Sequence, residues 1–253
     1  MATRSPRFLF FRSVLALEQT PHLLFLVRWL LLCAVVAGLV GSASAFFLVA
    51  LDWVTVWRES HHWLIWLLPV GGFMVGASYH YLGQSVGKGT NLLLDEIHNP
   101  RRIIPLRMAP LVLFATLATH LFGGSAGREG TAVQMGGTLA DQLTPLFRLR
   151  PRDRKVLLVA GISAGFASVF GTPLAGAVFG LEVVLLGSIR YDAILPSFLA
   201  AVGADLVTRA WGVGHTPYPL LDVPPMTFST LLLTVGCGIL FGLTARGFSR
   251  LTH

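Results

Sequence analysis

The sequence predicts an all-α integral membrane protein. Hydrophobic residues make up 54% of its 253 residues and charged residues only 12%, where a soluble domain carries about a quarter charged residues. Mean hydropathy is +0.69. Apolar runs at 23–57, 63–82, 103–122, 156–170, 173–187, 193–210 and 227–245 each approach or exceed the ~20 residues a bilayer core needs, or fall short and are broken by glycine or proline. Short, broken runs are what half-helices facing a cavity look like. One integral membrane domain suits a chain of this length.

The net charge of +7 does not point to nucleic acid, because the cations are sorted along the chain. With the N-terminus cytoplasmic, and 88–98 and 129–147 as re-entrant half-helices, most of the cations face inside. These are Arg4, Arg7, Arg12, Arg101, Arg102, Arg107, Arg148, Arg150, Arg152, Arg154, Lys155, Arg190, Arg246 and Arg250. Only Arg58 and Arg209 sit at outer ends, as the positive-inside rule expects. Arg28 lies early in its helix and snorkels. Lys88 and Arg128 remain at membrane depth.

Taken in order, residues 1–20 read as a cytoplasmic or interfacial amphipathic helix. Arg12 interrupts the apolar stretch and no small-residue cleavage site follows before Glu18, which argues against a signal peptide. Residues 21–57 read as a long tilted helix and His61–Leu82 as its return. Gly83–Asn91 is a glycine-rich turn opening a short segment, Leu92–His98. Asn99–Arg107 is a basic cytoplasmic linker. A helix over 105–122 rises to a second glycine-rich turn, Gly123-Gly124-Ser125-Ala126-Gly127-Arg128-Glu129-Gly130-Thr131, from which a half-helix descends to the basic linker 148–155. Residues 153–170 and 173–187 form a hairpin at Gly171-Thr172-Pro173. The Gly- and Pro-rich loop 211–226 is external and separates the last two helices, leaving 227–253 as the final one. Cys33 and Cys237 read as buried thiols in apolar runs.

Small residues recur four apart at Gly72/Gly76, Ala132/Gly136, Gly161/Gly165, Gly176/Gly180 and Gly238/Gly242, a spacing that lets helix backbones pack closely in a bilayer.

The two glycine turns carry the functional expectation. Glycine lets backbone N–H groups approach a ligand, and a helix N-terminus favours negative charge. One turn offers Gly89, Thr90 and Asn91 with Lys88 beside them. The other offers Gly127, Arg128, Gly130 and Thr131 with Glu129 beside them. Together they outline an anion site. The Glu129 carboxylate mimics a bound anion and competes for the same donors until it is protonated. The structural alternative is an ion pair between Glu129 and Arg128 or another cation. Lys88 either deepens the anion well, favouring a small and strongly hydrated ion, or snorkels to the cytoplasmic mouth. Glu182 is part of a proton route or a structural acid paired with a linker arginine. His120 reads as a helix-to-helix hydrogen bond, and Asp95 and Glu96 as solvated acids. Ser125 and Ser163 lie in Gly-x-Ser-x-Gly patterns with His120 as conceivable base, but no strand precedes either. The chain is not expected to be an enzyme, and no metal or cofactor is expected.

These motifs resemble those of the CLC family of anion channels and anion/proton exchangers. The family's Gly-Lys/Arg-Glu-Gly-Pro appears as Gly127-Arg128-Glu129-Gly130-Thr131, its Gly-Ser-Gly-Ile-Pro as Gly87-Lys88-Gly89-Thr90-Asn91, and its Asn-Ala-Pro-Leu-Ala-Gly helix as the run Gly171-Thr172-Pro173 to Glu182. The resemblance implies tilted and re-entrant helices, with 21–210 as the first of two inverted repeats and 227–253 as the first helix of the second. It also implies a homodimer through residues 173–210. Lys88 stands where the common branch has its chloride-coordinating serine, Asn91 and Thr131 replace prolines, and the usual inner proton acceptor falls on Val183. These departures resemble the fluoride-exporting branch, which exchanges fluoride for protons using the gating glutamate without the inner one. The expected function is therefore fluoride/proton antiport across the bacterial inner membrane. The alternatives are a chloride-selective channel or exchanger and a non-transporting membrane scaffold. The second repeat supplies further anion ligands in the family, so this length of chain alone is expected not to transport.

Overall fold

The computed structural model describes residues 20–184, 191–215 and 225–252, and all of the regular structure among them is helical. The expected interfacial helix of residues 1–20 lies almost wholly outside the described residues, as does most of the loop 211–226. The chain falls into two units, Met1–His215 and Thr216–His253.

The first unit opens with α1, Thr20–Ser60, which runs three residues past the apolar stretch that predicts it. The return is split: a 3-10 turn, His62–Leu67, precedes α2, Leu68–Leu82. Pro69 falls in the first turn of α2, where a missing N–H costs nothing. The next elements are α3 (Thr90–His98), α4 (Met108–Leu121), α5 (Arg128–Asp141) and the single turn α6 (Leu143–Leu146). They are followed by α7 (Pro151–Phe170), α8 (Pro173–Val184) and α9 (Tyr191–Ala210). The second unit contains α10, Phe228–Thr252, whose 25 apolar-rich residues give about 37 Å of helix. That is enough to cross a hydrocarbon core of ~30 Å.

Among the described residues, three helices are long and apolar enough to cross a bilayer: Phe25–Ser60, Tyr191–Ala210 and Phe228–Thr252. The helices at Met108–Leu121 and Pro173–Val183 are apolar but shorter. The structure thus spreads the apolar runs over a few full spans and several shorter helices. α7 has the length to span, but its first turns carry Arg152, Asp153, Arg154 and Lys155.

α7 is the centre of the first unit, packed against α1, α5, α8 and α9. Its residues from Val156 to Gly165 are buried, and a helix that is apolar on every face belongs inside. Pro151 at its start and Gly171 at its end (φ +67°) are the usual punctuation of a helix with a sharp start and stop. Pro173 then opens α8 two residues later.

The small-residue spacing explains how neighbours reach this crowded centre. A Cβ on Gly136 would strike the carbonyl of Gly161, and one on Gly165 the carbonyl of Ala132. The α5 and α7 backbones are therefore in direct contact. Gly180 meets Ser163 in the same way, and Gly176 would place a Cβ 2.7 Å from that of Ala167. Gly41 of α1 stands against the Ala204 carbonyl of α9, and Thr208 donates to the Gly41 carbonyl at 2.9 Å. By contrast, a Cβ on Gly72 or Gly76 meets nothing among the described residues. Gly165→Ala is expected to destabilise by about 1–3 kcal/mol through overpacking, whereas Gly76→Ala stabilises slightly. Thermal unfolding of the two variants in detergent checks this.

Two expectations about burial are corrected. Cys33 is buried, but Cys237 is exposed, because an apolar run fixes that a helix meets an apolar medium, not that a given face meets protein. Glu96 is not solvated but 8% exposed, because it pairs with the buried Arg154 guanidinium at 3.0 Å.

The ends of the first unit match the charge sorting. Arg28 Nη2 lies 3.0 Å from Asp153 Oδ2, which puts Arg28 at the same end as the 148–155 linker. Arg58 sits at the other end, lining a cavity of about 280 Å³ with Gly123, Gly124 and Ser125.

Candidate anion site at two helix starts

The first glycine turn is built from consecutive tight turns. Val86 N–H donates to Gly83 O at 2.9 Å and Gly89 N–H to Val86 O at 3.0 Å. Gly89, the residue before α3, has φ +56° and ψ −132°, a conformation that suits only glycine. Asn91 N–H donates to Lys88 O and Leu92 N–H to Gly89 O. Those bonds leave the N–H groups of Gly87, Lys88 and Thr90 without a backbone acceptor among the described residues.

The second turn ends in extended backbone at Gly127 (φ −74°, ψ 142°), and α5 starts at Arg128 with no side-chain cap. Arg128, Glu129 and Gly130 therefore form its first turn, where N–H groups have no intrahelical carbonyl. Thr131 lies one position too far in to offer its N–H. Its hydroxyl is committed as well. Thr116 Oγ1 donates to Val112 O at 2.9 Å, so in the 2.6 Å contact between the two hydroxyls the proton is that of Thr131.

The two turns meet at Gln134. Its Nε2 lies 3.4 Å from the point a Cβ on Gly89 would occupy and 3.7 Å from the corresponding point on Gly130. It donates to Thr90 Oγ1 at 3.4 Å. The structure thus brings Gly89, Thr90 and Gly130 to one side chain, with Gly127 and Glu129 beside Gly130 at the start of α5. Neither α3 nor α5 has a side-chain cap, so an anion arriving between them finds backbone donors and an oriented amide.

Side chains at the rim are distributed differently. Glu129 is exposed, and among the described residues no cation stands within ion-pairing reach of it. The Arg128 guanidinium leans instead on the Phe170 ring, 5.9 Å from its centroid. The backbone of Lys88 belongs to the first turn, but its ammonium runs along α3 to Asp95 Oδ2 at 2.8 Å, both side chains well exposed. That hydrogen bond, with the ammonium's charge, holds the Asp95 carboxyl below its usual range. Near α5, the His215 ring covers Gly171 and its Nε2 lies 3.7 Å from Asp205 Oδ1. Burial pushes the His215 imidazole below its ordinary value and Asp205 opposes this, while Arg209 and Arg128 add to it. The neutral ring is therefore the form favoured there.

Glu182 is exposed, and no linker arginine pairs with it among the described residues. His120 Nδ1 is bonded within its own helix, to Thr116 O at 2.8 Å, rather than across to a neighbour. His120 and Ser125 do line the same 280 Å³ cavity, but no carboxylate joins them there. Ser163 is fully buried and its hydroxyl has no partner, against the close approach of Gly180.

The far ends of both half-helices are clamped by a group that charge counting hides. Arg154, in the first turn of α7, donates to Asp141 Oδ1 from Nε at 2.7 Å and to Oδ2 from Nη2 at 2.8 Å. Its Nη1 reaches Glu96 Oε2 at 3.0 Å and its Nη2 the Arg102 carbonyl at 2.6 Å. Asp141 ends α5 and Glu96 lies in the last turn of α3. The remaining carboxylate capacity accepts backbone N–H groups of the linker, from Ile104 at 2.8 Å to Asp141 and from Arg101 at 2.8 Å to Glu96. One guanidinium therefore holds the C-terminal ends of the two helices whose N-termini converge.

Residues 71–253 match the model of a protein family described as the voltage gated chloride channel. A "Chloride/fluoride channel protein" of Pseudomonas syringae pv. tomato is 58% identical over 93% of this chain and 52% of its own length. An "H(+)/Cl(-) exchange transporter ClcA" of Vibrio vulnificus is 30% identical over 88% of this chain and 51% of its own. Among solved structures, a CLC-type fluoride/proton antiporter superposes with a TM-score of 0.80 at 36% identity, over 86% of this chain and 55% of that one. The chain spans about half the length of the curated relatives it matches.

Proposed function

The chain belongs to the voltage-gated chloride channel (CLC) family, and from that premise we propose that it forms half of a fluoride/proton antiporter of the bacterial inner membrane. The anion lies between the starts of α3 and α5, at the N–H groups of Thr90, Arg128, Glu129 and Gly130. Glu129 is the gate: charged, it turns into the first turn of α5 and takes the anion's place, and protonated it leaves. Proton uptake and anion entry are coupled because one set of donors serves both. The single observation that carries this reading is the meeting of two uncapped helix starts at Gln134, with an unpaired acid on one of them. Lys88, Gly89, Asn91, Gly127 and Thr131 shape the site. Glu182 and Val183 leave the inner proton route without a second acid. The protein is read as a multi-pass transporter rather than an enzyme, and as a homodimer through residues 173–210, whose exposed Leu174, Val178, Leu195, Val202 and Leu206 suit a lipid or partner surface.

Selectivity rests on Lys88. Fluoride dehydrates with difficulty, and an ammonium replaces several of its lost hydrogen bonds. In the structure that ammonium is on Asp95, an exposed pair of the kind that separates easily. Lys88 therefore exchanges between Asp95 and the anion. Lys88→Ser is expected to lower the fluoride-to-chloride flux ratio by about tenfold, a loss of about 1.4 kcal/mol of discrimination. Asp95→Asn, which frees the ammonium, is expected to raise that ratio. Liposomes containing the full-length transporter, read by fluoride and chloride electrodes, check both. An unaltered ratio in Lys88→Ser would mean that the ammonium only snorkels to the cytoplasmic mouth, the reading its bond to Asp95 supports, and equal fluoride and chloride fluxes in the unmodified protein would favour a chloride-selective exchanger.

A further inference from the structure

The basic end of the first unit holds a cavity of about 380 Å³ between the starts of α1, α7 and α9. Arg28, Arg150 and Arg152 line it against two carboxylates, Asp153 and Asp192. Arg28 is taken by Asp153 at 3.0 Å and Arg152 by Asp192 at 3.3 Å. Arg150, the residue before α7, is exposed and has no ion partner among the described residues. One wall is apolar: Trp29 is buried and Phe25 is 48% exposed.

We propose that this cavity binds the phosphodiester headgroup of an anionic phospholipid from the cytoplasmic leaflet. Its volume lies in the range of small-molecule sites. Its charge is complementary, with one more arginine than carboxylates. Basic pockets between helices on the cytoplasmic side are where anionic headgroups are held. The apolar wall decides between a lipid and a soluble anion. A free phosphate leaves Phe25 wet, whereas a lipid lays its glycerol and upper acyl carbons against Phe25 and Trp29. Nothing in this site takes part in the anion pathway proposed above, so the two readings stand or fall separately.

The test uses the full-length protein in phosphatidylcholine vesicles with and without phosphatidylglycerol. Lipid retained after detergent extraction is quantified by mass spectrometry. Phosphatidylglycerol is expected to be retained over phosphatidylcholine. Arg150→Gln is expected to lower that retention about fivefold, the equivalent of ~1 kcal/mol per basic residue at a lipid surface. Adding Arg152→Gln lowers it further, and Arg209→Gln, at the opposite end of α9, leaves it unchanged. Arg150 holds no ion partner among the described residues, so its replacement is expected to keep the fold, which thermal unfolding checks. Equal retention of both lipids, retention unaffected by Arg150→Gln, or displacement of the lipid by excess inorganic phosphate would each overturn the assignment.

Discussion

Glu129→Gln is expected to abolish proton-coupled anion movement, lowering proton flux by at least about 100-fold, the lower range for losing a positioned proton-transfer group. Glutamine keeps the shape of the side chain but carries no exchangeable charge, so it neither competes with the anion nor delivers a proton. Anion flux either stops or continues without protons, according to whether the neutral amide rests inside or outside the first turn of α5. The loss does not come from unfolding. An exposed acid in the first turn of a helix contributes only about 0.3–1 kcal/mol, and Glu129 has no ion partner among the described residues to orphan. Proteoliposomes read at once by a pH electrode and an anion electrode decide the matter. Proton flux that tracks anion flux as in the unmodified protein would remove Glu129 from the gate.

Arg154→Met is expected to cost about 3–5 kcal/mol of stability, the usual result of removing one partner from a buried ionic cluster. The Arg154 side chain is 5% exposed, that of Asp141 is not exposed at all and that of Glu96 is 11% exposed, so water replaces little of what the guanidinium provides. The triple variant Arg154→Met, Asp141→Asn, Glu96→Gln is expected to recover part of the loss. It buries no charge, and the side-chain oxygens still accept from the N–H groups of Ile104 and Arg101. Thermal unfolding in detergent measures both. A single variant within about 1 kcal/mol of the parent would mean the cluster is far wetter than its burial indicates. Functional damage is expected as well, because α3 and α5 would lose the common anchor that aims their starts at Gln134.

Much of the fold was legible because the bilayer imposes a coarse rule on every helix. Apolar length, glycine breaks and the sorting of arginines located most helices, and the two glycine turns singled out the place where α3 and α5 meet. The split of the return at Pro69 and the start of α5 at Arg128 shifted boundaries without changing order. What stayed hidden was pairing. Glu96 and Arg154 lie 58 positions apart, each within a run of linker charges, and nothing local marks them as the two that face inward. Asp141 is an acid at the end of a half-helix and looks solvated for the same reason. Gln134 escaped notice because it is neutral, and charge was the signal used to find the site. It stands one turn beyond Gly130, so a search for polar side chains on the face of α5 below the glycine turn would have found it. The sequence left the ammonium of Lys88 open between the anion and the cytoplasmic mouth, because a flexible four-carbon stem reaches several places from one backbone position.

The length of α1 has a consequence for the membranes in which the protein can work. Its apolar stretch, Phe25–Ser60, has 36 residues, about 54 Å of helix. A bilayer with its headgroups is roughly 40–45 Å thick, so a helix of this length spans it by leaning away from the normal. A leaflet pair a few Å thinner or thicker is matched by a change in that lean. The longest span thus absorbs hydrophobic mismatch by leaning rather than by stretching its neighbours, and the lengths of the surrounding acyl chains become a weak influence on it.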